Sequence, residues 1–230
     1  MPPDYLFAPA PQPSVAVQQS DARFPVRRIY CVGRNYAEHS REMGYDPRAQ
    51  VPFFFDKPAD ALVADGGIVP YPTHTTDLHH EVELVLAIGA GGRDIAIEHA
   101  ARHISGYAVG IDMTRRDVQA GAKQEGKPWT MAKGFDYSAP IGAIALAERI
   151  GHPRRGRIML SVNGAIRQDG DIADMVWSPE EIVAALSQQI VLAPGDLIYT
   201  GTPSGVGPLV PGDTVEATIE GVGSLAISIG

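Results

Sequence analysis

Glycine and proline interrupt this chain too often for long helices. The 230 residues include 25 Gly and 19 Pro, and these residue types break helices and form tight turns. Two such turns, Pro194-Gly195-Asp196 and Pro211-Gly212-Asp213, each lead into an alternating segment that is typical of a strand. We expect these two strands to lie in adjacent hairpins. The pattern as a whole predicts a mainly β fold of the α+β type with a few short helices.

The predicted elements are correspondingly short. Strands are expected over residues 28–32, 52–55, 81–88, 106–111, 158–162, 196–200, 214–219 and 224–229. The clearest helix covers residues 179–190, because Ser178 can cap its first turn and Glu181 can complete a capping box. Shorter helices are predicted over residues 36–43, with Asn35 as the cap, over 95–104 and over 114–123.

Composition and charge exclude several classes of function. Hydrophobic residues make up 44% of the chain and charged residues 20%, a balance that supports a folded core. The formal net charge is −8 and long basic runs are absent, so a general nucleic-acid or anionic-membrane binder is disfavoured. No stretch approaches the roughly 20 apolar residues of a membrane-spanning helix. Cys31 is the single cysteine and the first 24 residues lack a signal-peptide pattern, so we expect a cytoplasmic protein.

Familiar catalytic motifs are absent from the sequence. It has no G-x-x-x-x-G-K-[ST], no strand-linked G-x-G-x-x-G, no H-E-x-x-H and no G-x-S-x-G, so nucleotide-binding and serine-hydrolase functions lack support. His74, His79 and His80 lack helical spacing and a thiolate partner, which argues against a zinc site. The glycine-rich loop at residues 199–207 follows a predicted strand, and its backbone amides could hold a carboxylate.

Three acidic residues could form a metal site. Glu81 and Glu83 are two residues apart, so on a strand both carboxylates project from the same face. Asp112 follows another apolar strand and supplies a third carboxylate, and three carboxylates suit a hard cation such as Mg²⁺ or Mn²⁺. The alternatives are that the two glutamates face water and that Asp112 caps a helix.

A histidine and a lysine could act beside such a metal. His39 and Glu42 are three residues apart on a predicted helix, where the carboxylate can orient the imidazole as a general base for water. The alternative is an ordinary solvated helix surface. Lys133 is flanked by apolar residues and glycine, so it is the lysine we expect to be buried. The other cations in this region are Arg115, Arg116, Lys123 and Lys127, and most of them are expected to be surface charges.

The order of these residues resembles that of the fumarylacetoacetate hydrolase superfamily. The segments that carry the resemblance are residues 33–42, 52–58, 80–84, 110–119, 133–136 and 200–207. Residues 21–28 and 134–140 are most similar to the small bacterial fumarylpyruvate hydrolases within it. Three positions depart from the usual motifs and leave the substrate range open, namely Asp56, Ile111 and Arg115.

The resemblance implies an architecture, a cofactor and roles for the site residues. The architecture is a mixed β-sandwich roll over residues 25–230, preceded by an extended segment at residues 1–24 and assembled as a homodimer. The implied ligands of a Mg²⁺ or Mn²⁺ ion are Glu81, Glu83 and Asp112. The implied catalytic residues are His39, Glu42 and Lys133. The implied substrate contacts are Arg34, Arg116, Gln119 and Thr202.

The implied reaction is hydrolysis of a carbon–carbon bond in a small anionic 2,4-dioxo acid, such as fumarylpyruvate giving fumarate and pyruvate. His39, oriented by Glu42, would deprotonate the attacking water, and the metal would stabilise the enolate of the departing pyruvate. Isomerase, oxaloacetate decarboxylase and tautomerase activities need the same metal but no activated water, and they stay open as alternatives. A non-catalytic metal-binding scaffold is the alternative from a different class.

Overall fold

The computed structural model describes residues 4–36 and 51–230 of the chain. The strands of these residues are β1 (Ser14–Ala16), β2 (Arg23–Pro25), β3 (Arg28–Gly33), β4 (Phe53–Lys57), β5 (Leu62–Ala64), β6 (Ile68–Val69), β7 (Leu78–His80), β8 (Val82–Ile88), β9 (Ile104–Ile111), β10 (Thr114–Arg115), β11 (Ala139–Ile141), β12 (Ala145–Leu146), β13 (Arg157–Val162), β14 (Ala165–Asp171), β15 (Asp196–Tyr199), β16 (Gly207–Leu209), β17 (Thr214–Ile219) and β18 (Gly223–Ile229). Their α-helices are α1 (Ile97–Ala100), α2 (Arg116–Gln124), α3 (Thr130–Lys133), α4 (Ala147–Ile150) and α5 (Pro179–Gln189). Short 3₁₀ turns cover Ala59–Ala61, Ala101–His103 and Ile172–Asp174. The predicted mainly β fold with short helices is confirmed.

An eight-stranded mixed sheet forms the centre of the fold. Its order is β4-β3-β15-β8-β9-β11-β5, and β12 also pairs with β9. The pairs β15–β3 and β11–β5 are parallel, and the central pair β8–β9 is antiparallel. All seven residues of β8 are buried, with Leu84 and Leu86 in one core cluster and Val85 and Ala87 in another. The central sheet is therefore covered on both faces.

A five-stranded sheet covers one of those faces. Its order is β14-β13-β17-β18-β6, and its inward residues Leu160, Ala217 and Leu225 share a core cluster with Leu84 and Leu86. Outward positions of β17 such as Glu216 are exposed, so this sheet alternates between apolar and polar residues as a sheet with one wet face does. The two sheets form the predicted sandwich.

Two small sheets complete the architecture. The strands β10, β7 and β16 form a three-stranded sheet next to the ends of β8 and β9, and it covers the end of the sandwich where the acidic residues lie. The strands β1 and β2 pair in the N-terminal segment. Val15 of β1 is buried, and the Gln18 side chain that follows donates to the carbonyl oxygen of Val222 at 2.8 Å. This hairpin therefore packs on the body of the fold.

The predicted capping box is confirmed at the start of α5. The Ser178 hydroxyl accepts from the Glu181 amide at 3.3 Å, and the Glu181 carboxylate accepts from the Ser178 amide at 2.8 Å. The helix ends at Gln189, one residue before the predicted end. None of the helices in the described part of the chain is both long and apolar enough to span a bilayer.

Three of the shorter helix predictions were wrong in part. Within residues 95–104 only α1 and a 3₁₀ turn are helical, because Ile104 starts β9 and joins the core. Within residues 114–123, Thr114 and Arg115 form a strand that pairs with β7. Helix α2 therefore begins at Arg116, two residues after the predicted start. Tyr36, predicted as the first residue of a helix, forms a β-bridge with Met175; residues 37–43 lie outside the described residues.

The prediction that the two Pro-Gly-Asp turns lead into adjacent hairpins was wrong. The strand after the first turn, β15, lies in the eight-stranded sheet between β3 and β8. The strand after the second turn, β17, lies in the five-stranded sheet. All four residues of β15 are buried, whereas β17 alternates between buried and exposed residues. The turn chemistry determines how each strand starts, and burial of its side chains determines which sheet it joins.

Candidate active site

Strand register brings the three acidic residues together. Glu81 lies directly before β8, and Glu83 pairs with Gly110 of β9. The amide of Asp112 donates to the carbonyl oxygen of Glu81 at 2.8 Å, so Asp112 lies opposite Glu81. Because side chains alternate along a strand, the residues at 81, 83 and 112 project to the same side. One carboxylate oxygen from each lies within 4.8 Å of the others.

The three carboxylates are buried. Their positions test the two alternatives to a metal site, namely glutamates that face water and an Asp112 that caps a helix. The exposed fractions are 5% for Glu81, 1% for Glu83 and 0% for Asp112, so the alternative that the two glutamates face water does not hold. Asp112 does not cap α2 either, because the residue at that cap is Arg115. In residues 4–36 and 51–230, this is the single cluster of His, Cys, Asp and Glu side chains close enough to share an ion. The zinc alternative at residues 74, 79 and 80 finds no support.

Burial and like charges raise the pKa of Glu83 well above its ordinary value. Removal from water is the larger cause, and the carboxylates of Asp112 and Glu81 add repulsion. The amide of Gly201 donates to Glu83 at 2.7 Å and acts in the opposite direction. Three hard oxygen donors within 4.8 Å of one another fit a divalent ion such as Mg²⁺ or Mn²⁺. The chemistry of these three carboxylates therefore fits the predicted Mg²⁺ or Mn²⁺ ion.

Lys133 lies directly beside these carboxylates, as its apolar flanks predict. It is 2% exposed, and its ammonium group donates to Glu81 at 2.9 Å, to Asp112 at 2.7 Å and to the Thr114 hydroxyl at 2.6 Å. Burial alone would lower the pKa of Lys133, but Asp112 and Glu81 together raise it above its ordinary value. The side chain is therefore a buried cation at neutral pH.

Lys57 is a second buried lysine that the sequence analysis missed. Its ammonium nitrogen lies 2.8 Å from an Asp112 carboxylate oxygen and donates to the backbone carbonyls of Met113, at 3.1 Å, and Lys133. The residue ends β4 and is 2% exposed. Its signal in the sequence is weak, since a lysine at the end of a strand is ordinarily solvated.

Arg116 and Gln119 extend the site along α2. The Arg116 guanidinium donates to Glu81 at 2.5 Å and to the Gln119 side-chain oxygen at 2.7 Å. It also donates to His79 at 3.3 Å. The spacing of three residues places both side chains on one helix face, and both border the same cleft. The structure thus brings these two predicted contact residues to the metal site.

The loop after β15 brings Thr202 to the same cleft. Gly201 has a φ of +95°, and a Cβ there would lie 2.7 Å from the Cβ of Asn35, so only glycine fits this close approach. The predicted carboxylate-binding amide is present at Gly201, although in this structure it binds Glu83 of the same chain. The Thr202 hydroxyl accepts from the Gln168 side chain at 2.8 Å.

Gln168 is another residue beside the site that sequence reasoning missed. Its side-chain oxygen accepts from the Val82 amide at 3.0 Å and lies 3.0 Å from His80. Its nitrogen donates to Thr202 and to the Pro203 carbonyl. The residue therefore connects the start of β8 to the loop after β15 from the other sheet, and no local sequence pattern marks it.

A cleft of about 400 Å³, part of it open to solvent, leads to the carboxylates. It is lined by Val32, Gly33, Arg34, Phe55, Glu81, Glu83, Arg116, Gln119, Lys123, Trp129, Lys133, Gly201 and Thr202. All four predicted substrate contacts are among them. Lys123 belongs to the group of cations of which most were expected to be surface charges, but its side chain is partly buried and borders the cleft.

The predicted pair His39 and Glu42 lies outside the described residues. The chain just before it is held firmly, because the buried Asn35 side chain donates to the carbonyls of Thr200 at 2.7 Å and Trp177 at 3.0 Å. Its oxygen accepts from the Trp177 amide at 2.7 Å. The role of the pair therefore stays a prediction from the sequence.

Comparison with known proteins identifies the family. The family model for the fumarylacetoacetate (FAA) hydrolase C-terminal domain matches residues 28–229. The chain belongs to this family. Within the fumarylacetoacetate hydrolase family, it is similar to a crystal structure of fumarylpyruvate hydrolase from Pseudomonas aeruginosa in complex with Mn²⁺ and pyruvate. The two are 50% identical, the TM-score is 0.96, and the match covers 98% of this chain and 99% of the other.

Other relatives in the family have different activities. The mitochondrial oxaloacetate tautomerase of Mus musculus is 43% identical over 203 residues, which is 88% of this chain and 91% of that protein. The crystal structure of 2-hydroxyhepta-2,4-diene-1,7-dioate isomerase from Mycobacterium marinum is 35% identical with a TM-score of 0.78, covering 90% of this chain and 76% of that one. The family therefore contains hydrolase, tautomerase and isomerase functions on one fold.

Proposed function

We propose that this protein is a metal-dependent hydrolase that cleaves a carbon–carbon bond in a small 2,4-dioxo acid such as fumarylpyruvate. The observation that carries the proposal is the buried group of Glu81, Glu83 and Asp112 at the base of a cleft lined by cations. The 50% identity to the fumarylpyruvate hydrolase that was crystallised with Mn²⁺ and pyruvate supports the same substrate class.

The proposed reaction consumes one water and releases two acids. In the substrate R–CO–CH₂–CO–COO⁻, water adds to the carbonyl beside R, and the bond between that carbon and the CH₂ group breaks. The electron pair leaves with the pyruvyl fragment, which takes up a proton on carbon. The products are R–COO⁻, pyruvate and one proton, so atoms and charge balance.

A Mg²⁺ or Mn²⁺ ion held by Glu81, Glu83 and Asp112 would supply Lewis-acid stabilisation of the negative charge that develops on the 2-oxo acid. Lys133 contributes a fixed positive charge next to this position, and its raised pKa keeps the proton on its nitrogen at neutral pH. A preformed cation in a buried site stabilises developing charge without first having to reorganise.

The residues around the cleft orient the substrate. Arg116 already holds one carboxylate in a 2.5 Å contact with Glu81 and is braced by Gln119, so its guanidinium is positioned to bind an acid. The Thr202 hydroxyl faces the same cleft and is held by Gln168. Fixing both partners in one geometry removes much of the entropy cost of the reaction.

We assign proton removal from the attacking water to His39, with Glu42 orienting the imidazole. This assignment rests on the spacing of the two residues in the sequence. It distinguishes the hydrolase from a tautomerase or decarboxylase, because neither of those reactions adds water to a carbonyl.

Oxaloacetate tautomerase activity is the second candidate function. It is supported by the 43% identity to the Mus musculus enzyme. This reaction moves a proton between carbon and oxygen and can use the same carboxylate site and the fixed positive charge of Lys133 without a general base for water. The two candidates therefore share the carboxylate site and differ in their need for His39 and Glu42.

One experiment separates these functions. The purified protein is incubated with fumarylpyruvate, acetylpyruvate and oxaloacetate in ¹⁸O-labelled water, with Mn²⁺, with Mg²⁺ and with EDTA, and the products are identified by mass. A hydrolase places one ¹⁸O atom in fumarate or acetate and loses activity in EDTA. Rapid loss of the enol absorbance of oxaloacetate, without cleavage of either dioxo acid, would instead establish the tautomerase, and no reaction with any substrate would favour a metal-binding scaffold.

We also propose that the protein forms a homodimer, as the family resemblance implies. Light scattering of the purified protein measures its mass directly. A mass near twice that of the chain, which is 24.5 kDa, supports the dimer, and a mass near that of one chain contradicts it.

A further inference from the structure

The outer part of the cleft contains a group of cations around an aromatic ring. The Lys123 ammonium lies 5.1 Å from the centre of the Trp129 ring, and the Arg34 guanidinium carbon lies 6.0 Å from the same centre. Phe55 packs beside Trp129 with the ring centres 6.0 Å apart. All four residues border the cleft. The outer cleft therefore combines an apolar wall with positive charge.

Lys123 differs from the other lysines of the site in its partners. Lys57 and Lys133 each contact a carboxylate at 2.9 Å or less. In the part of the chain that the structure describes, no carboxylate oxygen lies within 4.0 Å of the Lys123 nitrogen. Its contact is with the face of Trp129, and a cation–π contact neutralises no charge. The positive charge of Lys123 is therefore available to an anion that enters the cleft.

The surroundings of Lys123 favour such an anion. Partial burial and the positive charges of Arg116 and Arg34 together lower the pKa of Lys123 to about 8. A carboxylate placed here would relieve the repulsion between these cations and form charge-assisted hydrogen bonds. Phe55 packs beside Trp129, and its ring centre lies 5.1 Å from the ammonium of Lys133, which contacts the buried carboxylates. The two rings therefore link the Lys123 position to those carboxylates and offer an apolar wall to a short carbon chain.

We propose that Lys123, together with Arg34 and Trp129, forms a subsite for a second carboxylate, so that the protein selects 2,4-dioxo acids that carry an acid group at both ends. This inference rests on the proposed hydrolase function and deepens it. The 2-oxo acid end of the substrate lies at Glu81, Glu83 and Asp112, an unsaturated spacer lies along the aromatic wall, and the far carboxylate contacts Lys123. Dianionic fumarylpyruvate is therefore a better substrate than monoanionic acetylpyruvate.

A purely structural role for Lys123 makes a different prediction. If the side chain only packs against Trp129, its loss would affect every substrate equally, because it would disturb the shape of the cleft. If it binds the second carboxylate, the loss is confined to ligands that have one. Comparing matched ligands with one and two charges therefore separates the two roles.

The kinetic test uses Lys123→Met, which keeps the length of the side chain without its charge. We expect kcat/KM for fumarylpyruvate to fall by about 10- to 100-fold, since a hydrogen bond to a charged group contributes of that order. The loss for acetylpyruvate should be much smaller. Lys123→Arg restores most of the preference, and Lys127→Met, on an exposed residue of the same region, is the matched control. Equal losses for both substrates, or no loss for either, would overturn the proposal.

A binding test keeps the inference separate from the hydrolase assignment. Calorimetry with the Mn²⁺-loaded protein compares fumarate with its monomethyl ester, which has the same carbon frame and one charge fewer. We expect Lys123→Met to weaken fumarate binding by about tenfold or more and to leave the ester nearly unaffected. This result would support the subsite even if the wild-type protein hydrolysed neither dioxo acid. Equal affinity of wild type and variant for fumarate would refute it.

Discussion

The charged side chains at the two ends of the cleft have different kinds of partner. At the inner end two of the three buried carboxylates, those of Glu81 and Asp112, contact three cations at distances between 2.5 and 2.9 Å, and these cations are Lys57, Lys133 and Arg116. At the outer end Lys123 lies over an aromatic ring and contacts no carboxylate among the described residues. Paired charges in a dry site hold each other in place. This difference fits the proposed roles of the two ends, namely chemistry at a fixed position for the inner end and selection of the ligand for the outer end.

At the inner end, the negative charge of Glu83 is not balanced by a nearby cation in the described part of the chain. Glu83 accepts from the Gly201 amide, and in the described ranges no cation lies within 4.0 Å of its carboxylate. Its raised pKa shows the cost of that arrangement. A bound divalent ion would provide the missing charge, which is why the inner end fits a metal and the outer end does not.

The largest effect is expected from Glu83→Gln, which tests the inner end directly. The variant removes one anionic ligand, so Mn²⁺ affinity should fall at least about 100-fold, and hydrolysis should fall on the order of 10⁴-fold because the metal contributes several kcal/mol. Calorimetric titration beside turnover assays measures both quantities. Glu216→Gln, on the exposed face of β17, is the control. Unchanged metal affinity in the Glu83 variant would contradict the assignment of the ligand.

The next effect is expected from His39→Ala, which separates proton transfer from metal binding. Turnover should fall on the order of 10³-fold, as for the loss of a general base, while Mn²⁺ affinity stays within about twofold of wild type because no ligand is lost. The same calorimetric and kinetic measurements apply. A variant with full hydrolytic activity would remove His39 from the mechanism.

Lys57→Met should affect stability more than specificity. It removes one partner of a buried ion pair with Asp112, which costs about 3 to 5 kcal/mol of unfolding free energy when the other charge stays buried. Urea unfolding without metal measures this loss, and the exposed Lys127→Met should change the unfolding free energy by less than about 0.5 kcal/mol. A loss below about 1 kcal/mol for Lys57→Met would show that the pair does not hold the inner end together.

The smallest effect is a pH dependence at the outer end. The pKa of Lys123 is lowered to about 8 by burial and by repulsion from Arg116, Arg34 and Lys133, while Glu81 acts in the opposite direction. Below pH 8 the side chain is charged, so the preference for fumarylpyruvate over acetylpyruvate should be high near pH 7 and fall about tenfold by pH 9.

The ratio of the two kcat/KM values isolates this titration, because ionisations common to both reactions cancel. In Lys123→Arg the guanidinium stays charged over the whole range, so the ratio should be flat between pH 7 and pH 9. A ratio that falls equally in wild type and in the arginine variant would assign the titration to a different group.

Local sequence patterns predicted those features that depend on neighbours in the chain. The period of two in a strand placed Glu81 and Glu83 on one side, and the structure confirms this arrangement. The capping box at Ser178 and Glu181 was predicted from four residues and is present. The apolar flanks of Lys133 indicated its burial. In each case the physical cause acts within a few residues, so one segment contains all the information.

Features that depend on distant segments could not be predicted in this way. Lys57 contacts Asp112, 55 positions later in the chain, and Gln168 joins Val82 to Thr202 across two sheets. Lys123 looked like a surface charge because its helix is short and polar, and the cleft beside it is formed by other elements. The family resemblance supplied roles for several site residues, but it did not identify these three contacts.

The sequence by itself determined a chain of short strands, a pair of acids on one strand face and a buried lysine, because backbone preferences and side-chain alternation act locally. Only the tertiary structure decided that Asp112 lies opposite Glu81, that Lys57 and Gln168 support the site and that Lys123 faces a cleft. These contacts depend on the register of β8 against β9 and on the packing of one sheet over the other. Register and packing are set by burial summed over the whole core, and no single segment of the chain contains that sum.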